Sequence, residues 1–449
     1  MTKQIRLAAY LVGSGMHVAS WRHPLAQPDA SISINALIEQ AKIAEQGKFD
    51  FVFAADSLAV NHTSHPQILN RFDPVVQITA LATATTHIGI GATSSTTYGE
   101  PYILARQFAS VDHISGGRVG WNLVTTADAT GETAQNFSRD KHWEHDHRYD
   151  RAEEFIDVVK GLWDSWEDDA FIYNKETGTF YDKKKVHEVG YQGTHFTVKG
   201  PLNIARSQQA QPVIIQAGSS IPGQRLAART AEVVFTSWDT MERAQQHYTQ
   251  LKSQLATYGR EHDDLVVLHA IAPIIGRTTE EAHAKYEELQ QLVDPYESLK
   301  FVSGYMGNVD FTQYDLTTPA REVVFPHVNS IQSNFNEMKA IMDKEDLKVG
   351  DLYQRFFKPA RKDHFIGTPT QIADEMERWV MAEATDGFMI QFPLMPRDLQ
   401  DFVTYVVPIL QARGLLRKEY EGTTLREHLG LKKPQNQFVT LTVGGKSYD

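Results

Sequence analysis

The chain has 449 residues, of which 41% are hydrophobic and 10% aromatic, so it can bury a large core and is not expected to be disordered. Its formal net charge of -12 argues against nucleic acid or an anionic membrane surface as its main partner. The chain has no cysteine, which excludes disulfides, thiolate metal ligands and a cysteine nucleophile. No apolar run approaches the roughly 20 residues of a membrane span. Together these features predict a cytoplasmic protein with no membrane segment.

Strand-like and helix-like segments alternate through most of the chain, as judged by the spacing of apolar residues. In the first half the predicted elements are strands at 5–12, 51–55, 88–92 and 119–124, and helices at 34–47, 74–84 and 101–115. In the second half they are strands at 213–217, 233–236, 265–275 and 387–392, and helices at 148–166, 223–231, 242–258, 278–292, 369–384 and 399–412. Eight strands alternating with helices predict an α/β fold, a (β/α)8 TIM barrel, with a doubly wound sheet as the alternative.

Three stretches interrupt this alternation, at about 127–147, 168–207 and 294–364. Long insertions in a barrel are usually lids or subunit contacts, so we expect one domain over residues 1–449 with three insertions. The second insertion has the pattern of a β-hairpin, with its turn near Thr177-Gly178. The tail at about 432–449 is poor in apolar residues and is expected to wrap a neighbouring subunit or to fray.

Polar residues follow several predicted strands where the strands end. They are Asp56, Thr93 with Ser95, Asn122 with Thr125, and Ser219 with Ser220. In a TIM barrel these carboxyl ends form the active site. The set contains one carboxylate, whereas a two-carboxylate glycosidase or a two-metal hydrolase needs more. Uncharged hydrogen-bonding groups suit a neutral polar heterocycle.

The segment His142-Trp143-Glu144-His145-Asp146-His147-Arg148-Tyr149 has three interpretations. Its histidines suggest a zinc or iron site, but His145 and His147 cannot face one point on a helix. His145 and Tyr149 are four residues apart and share a helix face, which suits a phosphate. The third interpretation is a solvated helix start. The turn Gly218-Ser219-Ser220 is either a second phosphate contact or a plain helix N-cap.

The loop after the first strand carries His17, Arg22 and His23. The pKa of a histidine near neutrality makes His23 a candidate acid–base group, with a structural loop histidine as the alternative. His113 is interpreted as a helix-end cation. Arg118 precedes a strand and therefore points to the opposite face of the barrel, so we interpret it as structural.

Six motifs resemble, in the same order, the flavin-dependent monooxygenases grouped with nitrilotriacetate monooxygenase component A, in the bacterial luciferase-like superfamily. The motifs are Trp21-Arg22-His23-Pro24, Phe53-Ala54-Ala55-Asp56, the run from Asp112 to Thr125, Gly200-Pro201-Leu202-Asn203, Gln216-Ala217-Gly218-Ser219-Ser220 and Phe365-Ile366-Gly367-Thr368-Pro369. The resemblance covers residues 5–431. It implies a (β/α)8 barrel, reduced FMN (FMNH2) and O2 as co-substrates, and a separate NAD(P)H:FMN oxidoreductase that supplies FMNH2.

Carried over by residue, the resemblance implies flavin contacts at Asp56, Thr93, His145, Tyr149 and Ser219, with Ser220 beside them. The candidate catalytic residues are His17, His23 and Asn122, and the candidate substrate-binding residues are Arg22 and Arg139.

Two positions depart from the family pattern. Thr126 stands where many relatives have serine, and Asn136-Phe137-Ser138 replaces Asn-Phe-Gly. Both lie in loops near the substrate and therefore bear on its identity.

The resulting hypothesis is a two-component monooxygenase acting through a flavin C4a-hydroperoxide, which must be shielded from water. The histidines and arginines favour a small carboxylate-bearing amine or thioether, of the aminopolycarboxylate or S-substituted cysteine type. A homodimer or homotetramer is expected. The alternatives are a flavin-binding barrel without turnover, a metal-dependent barrel hydrolase using His142, His145, His147 and Asp56, and a deazaflavin-dependent oxidoreductase.

Overall fold

The computed structural model describes residues 3–61, 64, 66–126, 128, 132–218, 220–306, 309–325, 332–357 and 365–439. Eight parallel strands form a closed barrel, in which the first strand pairs with the last. In chain order they are β1 (Arg6–Tyr10), β2 (Phe51–Ala54), β3 (Gly89–Ser95), β4 (Val119–Val124), β5 (Val213–Ala217), β6 (Val233–Thr236), β7 (Val266–Ile271) and β8 (Gly387–Ile390). The predicted (β/α)8 barrel is confirmed, and closure rules out the doubly wound sheet.

Helices cover the outside of the barrel. They are α1 (Ile34–Gln46), α2 (Pro74–Ala84), α3 (Pro101–Ser115), α4 (His145–Asp164), α5 (Ile221–Thr230), α6 (Met241–Gln254) and α7 (Pro369–Met381), followed by the continuous helical stretch Arg397–Asp401, Phe402–Val406 and Val407–Ala412. Local chemistry sets several ends. The Asp73 carboxylate accepts from the first backbone N–H groups of α2, and Gly116 ends α3 in the left-handed conformation at φ 70°.

The barrel is filled with apolar side chains, among them Phe51, Ile215 and Leu268. At the amino ends of its strands, the helix Leu425–Leu429 closes it. Gly89 makes room for this helix, since a Cβ there would lie 2.5 Å from Leu425 Cδ1. Chemistry is therefore confined to the open end, where the strands finish.

The segment from 168 to 207 contains two small antiparallel pairs. The first is the predicted hairpin, Phe171–Asn174 with Thr179–Tyr181, and the second is Tyr191–Gln192 with Thr197–Val198. The predicted strand at 265–275 is wrong in its extent, because β7 ends at Ile271 and Ile274–Ile275 pairs separately with Ile366–Gly367. Pro273, which has no N–H to donate, interrupts the run.

A long excursion leaves the barrel between β7 and α7. Its helices are Thr279–Gln291, Pro295–Tyr305, Gln332–Lys344 and Leu352–Phe357. It has its own hydrophobic cluster, which includes Val302 and Phe311 and which Val18 and Ala19 of the loop after β1 join. That loop and the excursion therefore pack together over the end of the barrel.

Residues 432–439 of the tail pack on their own chain. The Asn436 side chain donates to the backbone carbonyls of Asp164 and Trp166, at 2.8 and 2.9 Å, and the Phe438 ring stacks on His187. These residues are therefore held against the barrel by contacts within the chain, and residues 440–449 lie outside the described part of the chain. Within the described ranges, no helix has the length and apolarity needed to cross a membrane.

Candidate functional site

Thr93 and Asn122 are neighbours in register at the mouth of the barrel. The Asn122 Nδ2 group donates to Thr93 Oγ1 at 2.8 Å, and each residue is 4% exposed. The Asn122 Oδ1 atom is buried without a hydrogen-bond partner among the described residues, as is Oε1 of Gln216 on β5. Buried oxygens of this kind are costly unless a ligand supplies N–H or O–H donors.

Ser95 and Thr126 connect the ends of β3 and β4. Their hydroxyl oxygens lie 2.6 Å apart, and Ser95 Oγ also accepts from the backbone N–H groups of Thr97 and Tyr98. Thr126 has a φ of 28°, which is unfavourable for a β-branched residue. Strain at a strand end of this kind is typical of functional sites. The sequence marked Thr126 as a departure, but nothing in it predicted the bond to Ser95.

Asp56, at the end of β2, accepts from the backbone N–H of Ser57 at 2.8 Å and lies 3.4 Å from Arg71 Nη2. Burial raises the pKa of the Asp56 carboxyl, and Arg71 opposes that shift. Burial also raises the pKa of the Tyr10 phenol, which lies at the end of the neighbouring strand β1. Tyr10 and Arg71 were not predicted as site residues, because no local motif marks either of them.

His145, Tyr149 and Ser220 come together at the N-terminus of α5. The Tyr149 hydroxyl lies 3.4 Å from Ser220 Oγ, and the His145 and Tyr149 rings are 4.8 Å apart. Ser220 caps α5 by accepting from the Gly223 N–H. A Cβ on Gly223 would lie 3.0 Å from the Tyr149 hydroxyl, so glycine keeps this space open. Ser219 lies outside the described residues.

The three histidines of the segment 142–147 have different partners. His142 contacts the Tyr98 hydroxyl, His145 contacts Asp146 at 3.0 Å, and His147 packs against the rings of Trp143 and His195. In the part of the chain that the structure describes, no three His, Asp or Glu side chains are grouped to hold a metal ion. The alternative metal site, which needed these histidines to converge with Asp56, is not formed.

The candidate residues of the loop after β1 contact the excursion. His17 Nδ1 accepts from the Ala19 N–H, and its Nε2 lies 2.8 Å from the Gln290 amide nitrogen. His23 Nε2 lies 3.1 Å from Glu288 Oε1. Arg22 donates to the carbonyl of Leu292. The structure thus places all three at the junction of loop and excursion.

Arg139, the second candidate substrate residue, donates to the Thr97 carbonyl at 3.1 Å, and its guanidinium lies 3.7 Å from the Trp143 ring centroid. It therefore lies beside the loop that follows β3. At the opposite end of the barrel, Arg118 donates to the carbonyls of Ile88 and Ala82 at 2.7 and 2.8 Å. Its interpretation as structural is confirmed.

The site combines three chemical features: polar strand ends with unsatisfied buried oxygens, a carboxylate beside an arginine, and hydroxyl groups at a helix N-terminus. These fit a heterocycle with N–H donors that carries a phosphate, as FMN does. The N-terminus of α5 favours negative charge, while Tyr149 and Ser220 offer hydroxyl donors. Asn122 and Gln216 offer acceptors for ring N–H groups.

Known proteins are similar to this chain over nearly its full length. Residues 14–386 match the family model for luciferase-like monooxygenases. The chain is 51% identical to N-acetyl-S-(2-succino)cysteine monooxygenase of Bacillus subtilis (strain 168), over 97% of this chain and 99% of that protein. It is 44% identical to nitrilotriacetate monooxygenase component A of Aminobacter aminovorans, over 97% and 98%. Among solved structures, riboflavin lyase (RcaE) with modified FMN and riboflavin superposes with a TM-score of 0.83 at 31% identity, over 96% and 97%. The chain therefore belongs to the luciferase-like monooxygenase family.

Proposed function

We propose that this protein is the oxygenase of a two-component system that uses FMNH2 and O2 to oxygenate a small carboxylate-bearing thioether or amine. The observation that carries the proposal is the convergence of His145, Tyr149 and Ser220 on one helix N-terminus beside the polar strand ends. Tyr149 and Ser220 would bind the FMN phosphate, together with His145 and Ser219. Asp56, Thr93 and Asn122 would orient the ring system.

When bound, reduced FMN would supply the two electrons for activation of O2. One oxygen atom is inserted into the substrate, and the other leaves as water with the two flavin hydrogens. The protein's part is to hold the reactants and exclude water. The excursion packed on the loop after β1 is suited to covering the site, and His17, His23 and Arg22 join these two parts.

The substrate class is supported by the names of the relatives. The 51%-identical relative acts on N-acetyl-S-(2-succino)cysteine, a thioether with carboxylates, and another relative is named for nitrilotriacetate, a tricarboxylate amine. Arg139, near the end of β3, is the candidate cation for a substrate carboxylate. The loop after β1 carries three further candidates, His17, Arg22 and His23. Their proposed roles in catalysis and substrate binding require that this loop also borders the bound substrate.

The partner is an NAD(P)H:FMN oxidoreductase. The name "component A" of the nitrilotriacetate relative implies a second component, which supports this assignment. We propose a homodimer or homotetramer for the oxygenase itself.

The test is oxygen uptake by the purified chain with a reductase, NADH and FMN, over a panel of carboxylated thioethers and amines. We expect one class to raise oxygen uptake and to yield a product that carries one atom from labelled O2. Calorimetric titration with FMN, oxidised and reduced, comes first. An absence of binding in both redox forms would overturn the proposal, whereas binding with no oxygenated product from any panel member favours a non-catalytic flavin-binding barrel.

A further inference from the structure

Tyr98 and His142 form a buried pair on the loops beside the candidate site. The Tyr98 hydroxyl lies 2.6 Å from His142 Nδ1, and each residue is 9% exposed. They are 44 residues apart in the chain, so the contact is built by the fold. At this distance the phenol donates a hydrogen bond to the imidazole nitrogen, which can accept its proton.

The pair is fixed to the ends of β3 and β4. The Tyr98 backbone N–H donates to Ser95 Oγ, which also bonds the hydroxyl of the strained Thr126. The Tyr98 ring stacks on Phe137 at a centroid distance of 4.6 Å. Both rings are therefore held in place next to the strand ends that would receive the flavin ring.

The second imidazole nitrogen of His142 lies near the Thr126 backbone, at the end of β4. His142 Nε2 is buried and has no hydrogen-bond partner of normal geometry among the described residues. A buried histidine kept only to hold a loop would be expected to satisfy both ring nitrogens.

The charges around the pair favour its neutral form. Burial lowers the pKa of the His142 imidazole, and Arg148 lowers it further, against smaller opposing effects of Asp128 and the Thr126 backbone. Burial and Asp128 raise the pKa of the Tyr98 phenol, while Arg139 and Arg148 oppose that shift. An imidazole held neutral in this way returns a proton readily once it has accepted one.

We propose that Tyr98 and His142 act as a dyad that carries a proton to the oxygen atom leaving the reaction, which rests on the proposed function. The departing oxygen becomes water when a substrate is oxygenated, or part of hydrogen peroxide when reduced FMN and O2 react alone. In both cases a proton must move from the reduced flavin to that oxygen. The Tyr98 oxygen accepts this proton while its own proton passes to His142 Nδ1. The reverse transfer then releases a proton to the departing oxygen.

This transfer leaves the dyad unchanged. In the first transfer the N–H bond of the reduced flavin and the original O–H bond of Tyr98 break, while a new Tyr98 O–H bond and a His142 Nδ1–H bond form. In the second transfer the His142 N–H bond breaks and the original Tyr98 O–H bond forms again, while the proton that Tyr98 had accepted passes to the departing oxygen. The two electrons come from reduced FMN, as in the proposed function. In this proposal Tyr98 is the group that exchanges protons with the departing oxygen, and His142 acts through it as a positioning residue and proton store.

The test is a single-turnover experiment that needs no substrate. Protein loaded anaerobically with FMNH2 is mixed with O2, and the return of oxidised flavin is followed over a range of pH, in H2O and in D2O. We expect Tyr98→Phe and His142→Asn each to slow this step by about 100-fold and to flatten its pH dependence. The double variant should be no slower than either single one, because the two residues act as a unit.

FMN affinity, measured by titration, should be unchanged in both variants. Tyr248→Phe is the matched control: its buried hydroxyl donates to Asp386 at 2.7 Å at the closed end of the barrel, and its reoxidation rate should be that of the wild type. A wild-type rate and pH profile in Tyr98→Phe would overturn the dyad. A loss of FMN affinity in the variants that matches their loss of rate would also overturn the dyad, because the pair would then serve to bind the cofactor. Failure of the wild type to bind FMN would instead overturn the proposed function, and the dyad with it.

Discussion

Tyr149 is the residue on which the phosphate assignment depends most directly. The residue is 8% exposed, its hydroxyl lies 3.4 Å from Ser220 Oγ, and Gly218 and Gly223 leave the surrounding space free of side chains. We expect Tyr149→Phe to weaken FMN binding by about 1–3 kcal/mol, the range for losing a hydrogen bond to a charged group. Titration calorimetry of both proteins measures the difference.

Riboflavin provides the control for this prediction, because it has the same ring system as FMN and no phosphate. Tyr149→Phe should leave riboflavin affinity as it is in the wild type. An equal loss for both ligands would mean that Tyr149 contacts the ring or only supports α4. The phosphate would then have to be bound elsewhere.

At the scale of elements, Arg118 joins four of them at the closed end of the barrel. Its guanidinium donates to backbone carbonyls at the end of α2, before β3 and at the end of α3, while its own backbone precedes β4. Arg118→Met keeps much of the side-chain volume and removes all the donors. Because the carbonyls lose their partners in a buried place, we expect the free energy of unfolding to fall by about 3 kcal/mol.

Urea denaturation of the variant and the wild type measures this loss. FMN affinity should be unaffected, because Arg118 lies at the end of the barrel opposite the site. Arg277→Met is the control, since the Arg277 side chain is 86% exposed and its ion pair with Glu281 should contribute less than about 1 kcal/mol. A similar small effect for Arg118→Met would show that water or neighbouring groups replace its bonds.

The sequence predicted elements well where local chemistry sets their ends. The helices predicted at 74–84 and 101–115 have the bounds that the structure shows, where Asp73 caps the first and the left-handed Gly116 ends the second. The sequence did not predict where β7 ends. The apolar run continues past Pro273, and a buried strand and the segment after it have the same apolar composition. Candidate site residues at strand ends could be named from barrel geometry alone. Pairs such as Tyr98 with His142 could not, since only the folded chain brings their loops together.

At the scale of the molecule, the two ends of the barrel have different tasks. The open end carries polar strand ends, a strained threonine and buried oxygens without partners. The closed end carries the helix Leu425–Leu429 and paired charges such as Arg417 with Asp50 and Arg426 with Glu232. Unsatisfied buried oxygens at the site cost stability, and the ion pairs and apolar contacts of the closed end help to offset that cost.

His428 gives this closed end a pH dependence that can be measured. It is 1% exposed, and burial, reinforced by Arg417, lowers the pKa of its imidazole to about 4 against opposing effects of Asp50 and Glu427. In the unfolded chain the pKa is about 6.5, so the unfolded state binds the proton first as pH falls. The stabilisation is therefore present above about pH 6.5 and is lost progressively toward about pH 4. We expect this one group to remove about 2 kcal/mol of unfolding free energy between pH 7 and pH 5.

Urea denaturation of the wild type and His428→Gln at both pH values isolates this contribution. The variant should lose about 2 kcal/mol less than the wild type on acidification, whatever its stability at pH 7. His262→Gln, at a side chain that is 53% exposed, should follow the wild type. An identical acid dependence in His428→Gln would mean that this imidazole is protonated in the native state. The helix Leu425–Leu429 would then tolerate a buried cation beside Arg417, and the stability of the closed end would have to come from its apolar contacts with the barrel interior.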